Sequence, residues 1–163
     1  RVHKEVPAKG QIAIFNRSHY EDIIAVRVKK IFPDPVWKRR YKHVLDFESM
    51  LAEEGTVIIK LFLNISKAEQ KKRLESRLQD PDKLWKFCMD DLDDRNRWDE
   101  FQTAYQDLIE KTSTPEAPWY IIPADRKWYR NLVVARLMVE KLRHLQLSLP
   151  TPNFDPASII IPD

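Results

Sequence analysis

Phe15-Asn16-Arg17-Ser18-His19-Tyr20-Glu21-Asp22 follows the apolar run Gln11–Phe15 and precedes a helical pattern from Ile23 to Ile31. The run reads as a short buried strand. An arginine, two carboxylates and a hydroxyl therefore crowd the carboxyl end of a strand. Open α/β sheets bind ligands at such ends. Arginine offers a planar fork for phosphate, and Mg²⁺ needs only one or two carboxylates because it keeps several waters. The stretch suits magnesium-dependent phosphate chemistry.

The surrounding chain supports an α/β reading. Thr56–Leu63 and Trp119–Ile122 are two further apolar runs. The first carries Val57, Ile58, Ile59, Leu61, Phe62 and Leu63 almost without break, the pattern of a strand buried on both faces of a parallel sheet. Long helical patterns lie between the runs, as in βαβ units. Ser18 with Glu21 and Ser66 with Glu69 fit capping boxes. Pro35 sits where a helix from Val36 to about Glu53 would begin, and Gly55 lies just past its end. Asp125 is placed to cap a helix running to about Leu145. Trp128, Leu132, Ala135, Val139 and Leu142 would form its core-facing stripe. The charged segment Ala68–Lys111 holds two helical stretches broken near Asp80-Pro81. It reads either as a lid over a nucleotide site or as a solvated helical hairpin.

Composition narrows the classes. The 163 residues suit one domain, and 43% hydrophobic with 33% charged residues argue against disorder. The 28 basic residues are balanced by 25 acidic ones, so a nucleic-acid module is disfavoured. No apolar run approaches the roughly 20 residues of a membrane helix. Cys88 is the one cysteine, which excludes a disulfide framework and points to a reducing compartment, the cytoplasm. The histidines show no metal-ligand spacing. With only Gly10 and Gly55, no G-x-x-x-x-G-K-[ST] phosphate loop can be present.

Several blocks together resemble one family. They are P-A-K-G-Q-I-A-I-F-N-R-S-H-Y-E-D (Pro7–Asp22), Arg27-Val28, D-F-E (Asp46–Glu48) and L-F-L-N-I-S-K-A-E-Q (Leu61–Gln70). R-L-E-S-R-L-Q-D-P-D-K-L-W-K-F (Arg73–Phe87), Asp91-Leu92, Trp98-Asp99 and A-P-W-Y-I-I-P-A-D (Ala117–Asp125) complete them. In this order they resemble the type-2 polyphosphate kinase family, up to about Leu147. The resemblance implies a three-layer P-loop kinase fold similar to thymidylate kinase, with a parallel sheet and a helical lid at about 68–111. Residues 1–147 would be the C-terminal portion of that domain and 148–163 a tail. The first strand and P-loop would be absent from this chain, either lying before Arg1 in a longer natural protein, which is the favoured reading, or lost from the protein.

The implied activity is phosphoryl transfer between inorganic polyphosphate and nucleoside mono- or diphosphates (AMP/ADP or GMP/GDP) with Mg²⁺. Some members carry aspartate at the position of Asn16 and lack the Glu21-Asp22 pair. The version here looks like the branch accepting nucleoside monophosphates, either alone or together with diphosphates. Asp22 is the expected metal-side carboxylate, and Glu21 would position substrate or metal, although it could instead close a capping box. Arg17 would hold phosphate or else pair with Glu21 or Asp22. Arg73 and Arg77 share a helix face and would close over phosphate, unless Glu69 occupies Arg73. Asn16, His19, Lys83 and Lys86 are candidate substrate contacts. The basic run Lys38–Lys42 reads as a solvated face. Polyphosphate and nucleotide are the expected partners, without nucleic acid or membrane, in a homo-oligomer. Ile159, Ile160 and Ile161 would be costly if exposed, so the tail is expected to pack on a partner subunit. Two rivals remain: an ATP-dependent nucleoside monophosphate kinase, and a non-catalytic polyphosphate- or nucleotide-binding subunit.

Overall fold

Two five-residue strands, β1 (Lys60–Asn64) and β2 (Trp119–Pro123), pair in parallel with Lys60 opposite Trp119 and Asn64 opposite Pro123. The computed structural model describes residues 2–162; Arg1 and Asp163, which bound the two predicted units, lie outside them. The Thr56–Leu63 run pairs only from Lys60 onward. By the register, Pro118 would face Ile59, and proline has no N–H to extend the ladder. The Gln11–Phe15 run is not a strand. Its residues are exposed and have no ladder partner among the described residues, and an extended segment becomes a strand only by pairing.

The described residues also form seven α-helices: α1 (Glu21–Val28), α2 (Asp34–Lys38), α3 (Arg40–Glu53), α4 (Lys67–Gln79), α5 (Asp90–Asn96), α6 (Trp98–Thr112) and α7 (Lys127–His144). Short 3-10 turns occupy Val2–Glu5, Pro81–Lys86 and Pro156–Ser158. The predicted helix Val36–Glu53 is split at Arg39, which keeps a helical backbone (φ −68°, ψ −19°), so the break alters hydrogen bonding more than direction. Its end is as read. Gly55 has φ +86°, its N–H bonds Ala52 O, and Thr56 N–H bonds Leu51 O, the paired closure of a Schellman motif. The end of α1 repeats the motif with Lys30 (φ +53°) in the glycine position: Ile31 N–H bonds Val26 O and Lys30 N–H bonds Arg27 O.

The core lies between helices. Ile23, Ile24, Val26 and Val28 of α1 pack with Trp37, Val44, Ala104 and Leu108, and Tyr41, Phe101, Tyr105 and Trp119 cover them. The second half of the charged excursion thus packs its inner face on α1. The break at Asp80-Pro81 is present, and the Asp80 carboxylate accepts from Asp82 N–H to start the following turn. Helix α5 joins its neighbours by polar ties: Lys29–Asp94 at 2.9 Å towards α1, and Arg95 to Lys67 O at 2.7 Å towards α4.

Two expectations for α7 fail. Asp125 does not cap it; the N-cap position is Arg126 and has no side-chain bond. Of the expected stripe, Trp128, Leu132, Ala135 and Val139 are exposed and Leu142 is half-buried, as are Val133, Val134, Leu137 and Met138 outside it. The helix is apolar on more than one side, so spacing alone could select either stripe. In the single chain Ile159, Ile160 and Ile161 are exposed. Among the described residues, no helix is long and apolar enough to cross a membrane.

Candidate functional site

The loop Asn16–Tyr20 turns into α1 through Arg17, whose φ of +74° is rare for a residue with a side chain. Such strain concentrates where a side chain must be presented. The Arg17 side chain is 82% exposed, and its only ion pair among the described residues is a loose one, Nε to Glu21 Oε1 at 3.7 Å. Exposed pairs of this kind contribute about 0–1 kcal/mol, so the guanidinium can exchange Glu21 for a ligand at little cost. Asn16 is exposed beside it.

Glu21 and Asp22 occupy the first turn of α1, where the helix dipole favours negative charge. The capping box anticipated for Ser18 and Glu21 does not form. Ser18 Oγ accepts from Tyr20 N–H at 3.3 Å, Glu21 N–H bonds Ser18 O, and α1 has no side-chain cap. Asp22 has no hydrogen bond or ion pair to its carboxylate among the described residues, and Arg40 donates to its backbone oxygen. An exposed carboxylate without a protein partner, next to a second one, is the donor type Mg²⁺ uses with substrate phosphates and water. No group of three or more His, Cys, Asp or Glu able to hold a metal by itself occurs among the described residues.

The lid cations are differently placed. Arg73 Nε bonds Glu69 Oε1 at 2.8 Å, and Nη2 donates to Ala124 O at 2.7 Å, so the arginine ties α4 to the loop after β2. Asp125, anticipated as a helix cap, pins the same junction by accepting from Ser66 N–H at 2.7 Å; that bond is the chief cause of its lowered pKa. Ser66 Oγ in turn accepts from Glu69 N–H, half of the expected box. Arg77 reaches Asp91 at 3.2 Å, Lys83 pairs with Asp80, and Lys86 lies over the Trp85 ring at 5.0 Å. Among the described residues, no hydrogen bond or ion pair joins these cations to the Asn16–Asp22 loop. The structure brings together Asn16, Arg17, Glu21 and Asp22, and separately gathers Arg73 at the root of the lid and Arg77, Lys83 and Lys86 farther along it. None of the candidate residues lines the surface hollows beside α7 or beside Gly55–Val57.

Directly behind the loop lies a group that sequence reasoning passed over. Tyr20, Glu48, Lys60 and Thr112 are 4%, 4%, 6% and 0% exposed. Tyr20 Oη donates to Glu48 Oε1 at 2.6 Å. Lys60 Nζ donates to Glu48 Oε2 at 2.7 Å, Tyr20 Oη at 3.1 Å and Thr112 O at 2.6 Å. Burial works against the Glu48 charge, but His19, Lys60 and Tyr20 around it more than offset this and hold its pKa below the ordinary range. Burial lowers the Lys60 pKa, and Glu48 opposes that shift. Burial and Glu48 both push the Tyr20 hydroxyl up, so it stays a proton donor. His19 is half-buried, stacked on Tyr20 with ring centroids 4.7 Å apart; its Nε2 lies 3.7 Å from Glu48, beyond hydrogen-bond reach. The signals were a lysine inside an apolar run and the D-F-E block that ends at Glu48.

Comparison with known proteins accords with this arrangement. A family model described as Polyphosphate kinase 2 (PPK2) matches residues 1–149. The chain is 53% identical over 161 residues to an AMP/ADP-polyphosphate phosphotransferase of Meiothermus ruber, covering 99% of this chain and 60% of that protein. It is 36% identical over 162 residues to an ADP-polyphosphate phosphotransferase of Rhodopseudomonas palustris, covering 92% and 56%. The crystal structure of Polyphosphate Kinase 2 from Arthrobacter aurescens TC1 superposes with a TM-score of 0.92 at 47% identity, over 96% of this chain and 56% of that one. The chain thus spans somewhat more than half the length of these relatives. With nearly all of its residues matched by one family model, and a parallel α/β arrangement that superposes on a solved member, the chain belongs to the polyphosphate kinase 2 family.

Proposed function

We propose that the protein carrying this chain transfers a phosphoryl group between inorganic polyphosphate and a nucleoside mono- or diphosphate, with Mg²⁺. The observation that carries the reading is the open pair at the start of α1. Asp22 has a carboxylate without a protein partner, and Arg17 is exposed in a left-handed backbone beside it. The relatives' printed activities, AMP/ADP- and ADP-polyphosphate phosphotransfer, favour the same substrates.

Phosphoryl transfer needs positioned substrates and neutralised oxygens more than covalent help from the protein. In this reading Arg17 grips phosphate through two parallel N–H bonds, with Asn16 and His19 as further donors. Asp22 holds Mg²⁺ directly or through water, and Glu21 orders the acceptor beside it. Bound Mg²⁺ supplies charge neutralisation at the phosphate oxygens. Arg77, Lys83 and Lys86 hold phosphate from the lid by exchanging their present acidic or aromatic partners. Arg73 contributes mainly by rooting α4, because its Nε and Nη2 are already engaged by Glu69 and Ala124 O. The frame is a thymidylate kinase-like P-loop fold, to which this chain gives the parallel pair and the lid.

The test is ADP and ATP formation from AMP, Mg²⁺ and long-chain polyphosphate by the intact gene product, with ATP as a competing donor. Polyphosphate-driven product supports the reading. Turnover with ATP alone would favour the nucleoside monophosphate kinase, and polyphosphate binding without product would favour the binding subunit.

A further inference from the structure

We propose that the buried Tyr20–Glu48–Lys60 network is a positioning device for the first turn of α1: it sets the direction in which Glu21 and Asp22 are presented. The inference rests on the phosphotransfer reading for its purpose, and on the geometry alone for its existence.

Stability does not account for the network. Burying two charges costs several kcal/mol per ion, and replacing a buried pair with apolar residues of similar volume is often neutral or stabilising. Yet this pair is fully engaged. The Lys60 ammonium uses all three of its donors, on Glu48, Tyr20 and the Thr112 carbonyl. Thr112 is fixed in turn, donating through Oγ1 to Leu108 O at 2.7 Å and accepting there from Trp119 Nε1 at 2.9 Å. Glu48 of α3 and Lys60 of β1 thus bond the Tyr20 hydroxyl directly; Thr112, the last residue of α6, holds Lys60 through its carbonyl, and Trp119 of β2 packs on the Tyr20 ring.

The placement of that hydroxyl gives the network its output. Tyr20 is the residue immediately before α1, and its carbonyl accepts from both Ile23 and Ile24 N–H, at 3.0 and 3.1 Å. No side chain caps the helix, so the usual device for fixing a first turn is missing. The tyrosine anchored from below takes its place. One residue further on stands Glu21, and two further on Asp22. The network thus fixes the residue next to Glu21 and Asp22, while, among the described residues, the Asp22 carboxylate has no protein partner and Glu21 has only the loose 3.7 Å pair with Arg17. Misplacement of a reacting group by an ångström can cost as much as ~10²-fold in rate, which is reason enough for such a support.

Tyr20→Phe removes one oxygen and keeps the ring against Trp119, where the centroids are 4.9 Å apart. The double variant Glu48→Gln with Lys60→Met removes both charges together, so neither is stranded. Both are made in the intact gene product and followed by amide hydrogen exchange, thermal unfolding and steady-state kinetics. We expect exchange at Glu21–Ile24 to quicken by about tenfold, the loss of one buried hydrogen bond, with α7 unchanged and Tm within a few degrees. We expect kcat to fall by about tenfold with KM for polyphosphate unchanged. Combining Tyr20→Phe with Asp22→Asn should cost no more than Asp22→Asn alone, since the network acts through that turn. Exchange at Glu21–Ile24 that stays at the wild-type rate, or rises equally throughout the chain, would overturn the proposal. A loss of kcat that adds in full to that of Asp22→Asn would do the same. If the wild type forms no product, the phosphotransfer reading fails by itself, and hydrogen exchange still decides whether the network positions the turn.

Discussion

Two sets of charged side chains meet at Tyr20, one bonding its hydroxyl and the other flanking it in sequence, and the protein treats them oppositely. Glu48 and Lys60 are buried, share short bonds with Tyr20, and leave no donor of the ammonium unused. Arg17, Glu21 and Asp22 are exposed and hold one loose contact at 3.7 Å. The first set has been satisfied by the chain itself; the second has been left for something else to satisfy. A charge near a functional loop is therefore informative only when its partners are known.

The sharpest break of this contrast is to strand one member of the closed set. Lys60→Ala leaves Glu48 buried without its counter-charge and should cost about 3–5 kcal/mol, read as a large fall in the midpoint of urea unfolding. Arg73→Ala should cost less, about 1–3 kcal/mol, because its guanidinium is partly exposed while its bonds to Glu69 and Ala124 O are short. That variant would place Arg73 with the closed set, as a root of the lid, if stability falls as well as rate. Glu48→Gln should change the shape of the acid limb. The folded pKa of Glu48 is depressed, so its contribution is fully present above the ordinary carboxylate value of about 4.3 and is lost as pH falls through the lower folded value. Removing it should flatten Tm against pH in that acid window and leave the slope at neutral pH unchanged. At the other extreme, Arg17→Ala should move stability by less than about 0.5 kcal/mol, while weakening phosphate binding.

The sequence was most readable where local rules act alone. Gly55 closes α3 because a positive φ is needed there, and the break at Asp80-Pro81 follows from proline and an aspartate that caps it. Trp119–Ile122 was found as an apolar run and pairs as one. Reading failed where a distant element decides. Gln11–Phe15 has strand composition, but a strand needs a neighbour. The outer stripe of α7 has helical spacing, yet the half-buried one was chosen by what packs against it. Ser18 and Glu21 have the spacing of a capping box, and Tyr20, anchored by Glu48 and Lys60 from other elements, fixes the turn instead. Asp125 was assigned to the helix that follows it and instead pins the start of α4. Lys60 sat inside an apolar run and its role was invisible until Glu48, 12 residues before it, and Tyr20, 40 before it, met it in the core.

The loop itself was legible as chemistry before it was legible as structure. Its residue types announced phosphate, and the geometry added that Asp22 is unpartnered and Arg17 is held in a strained backbone. What remains is to show that the open set acts on substrate. The most direct measurement compares polyphosphate-driven phosphorylation of AMP by the wild type and by Asp22→Asn, with Tm recorded on the same preparations. The account predicts that the rate falls on the order of 10²-fold while Tm stays within a few degrees, since the carboxylate supports no protein contact. An Asp22→Asn variant that keeps its rate, or loses it only in step with its fold, would contradict the assignment of this loop as the reacting site.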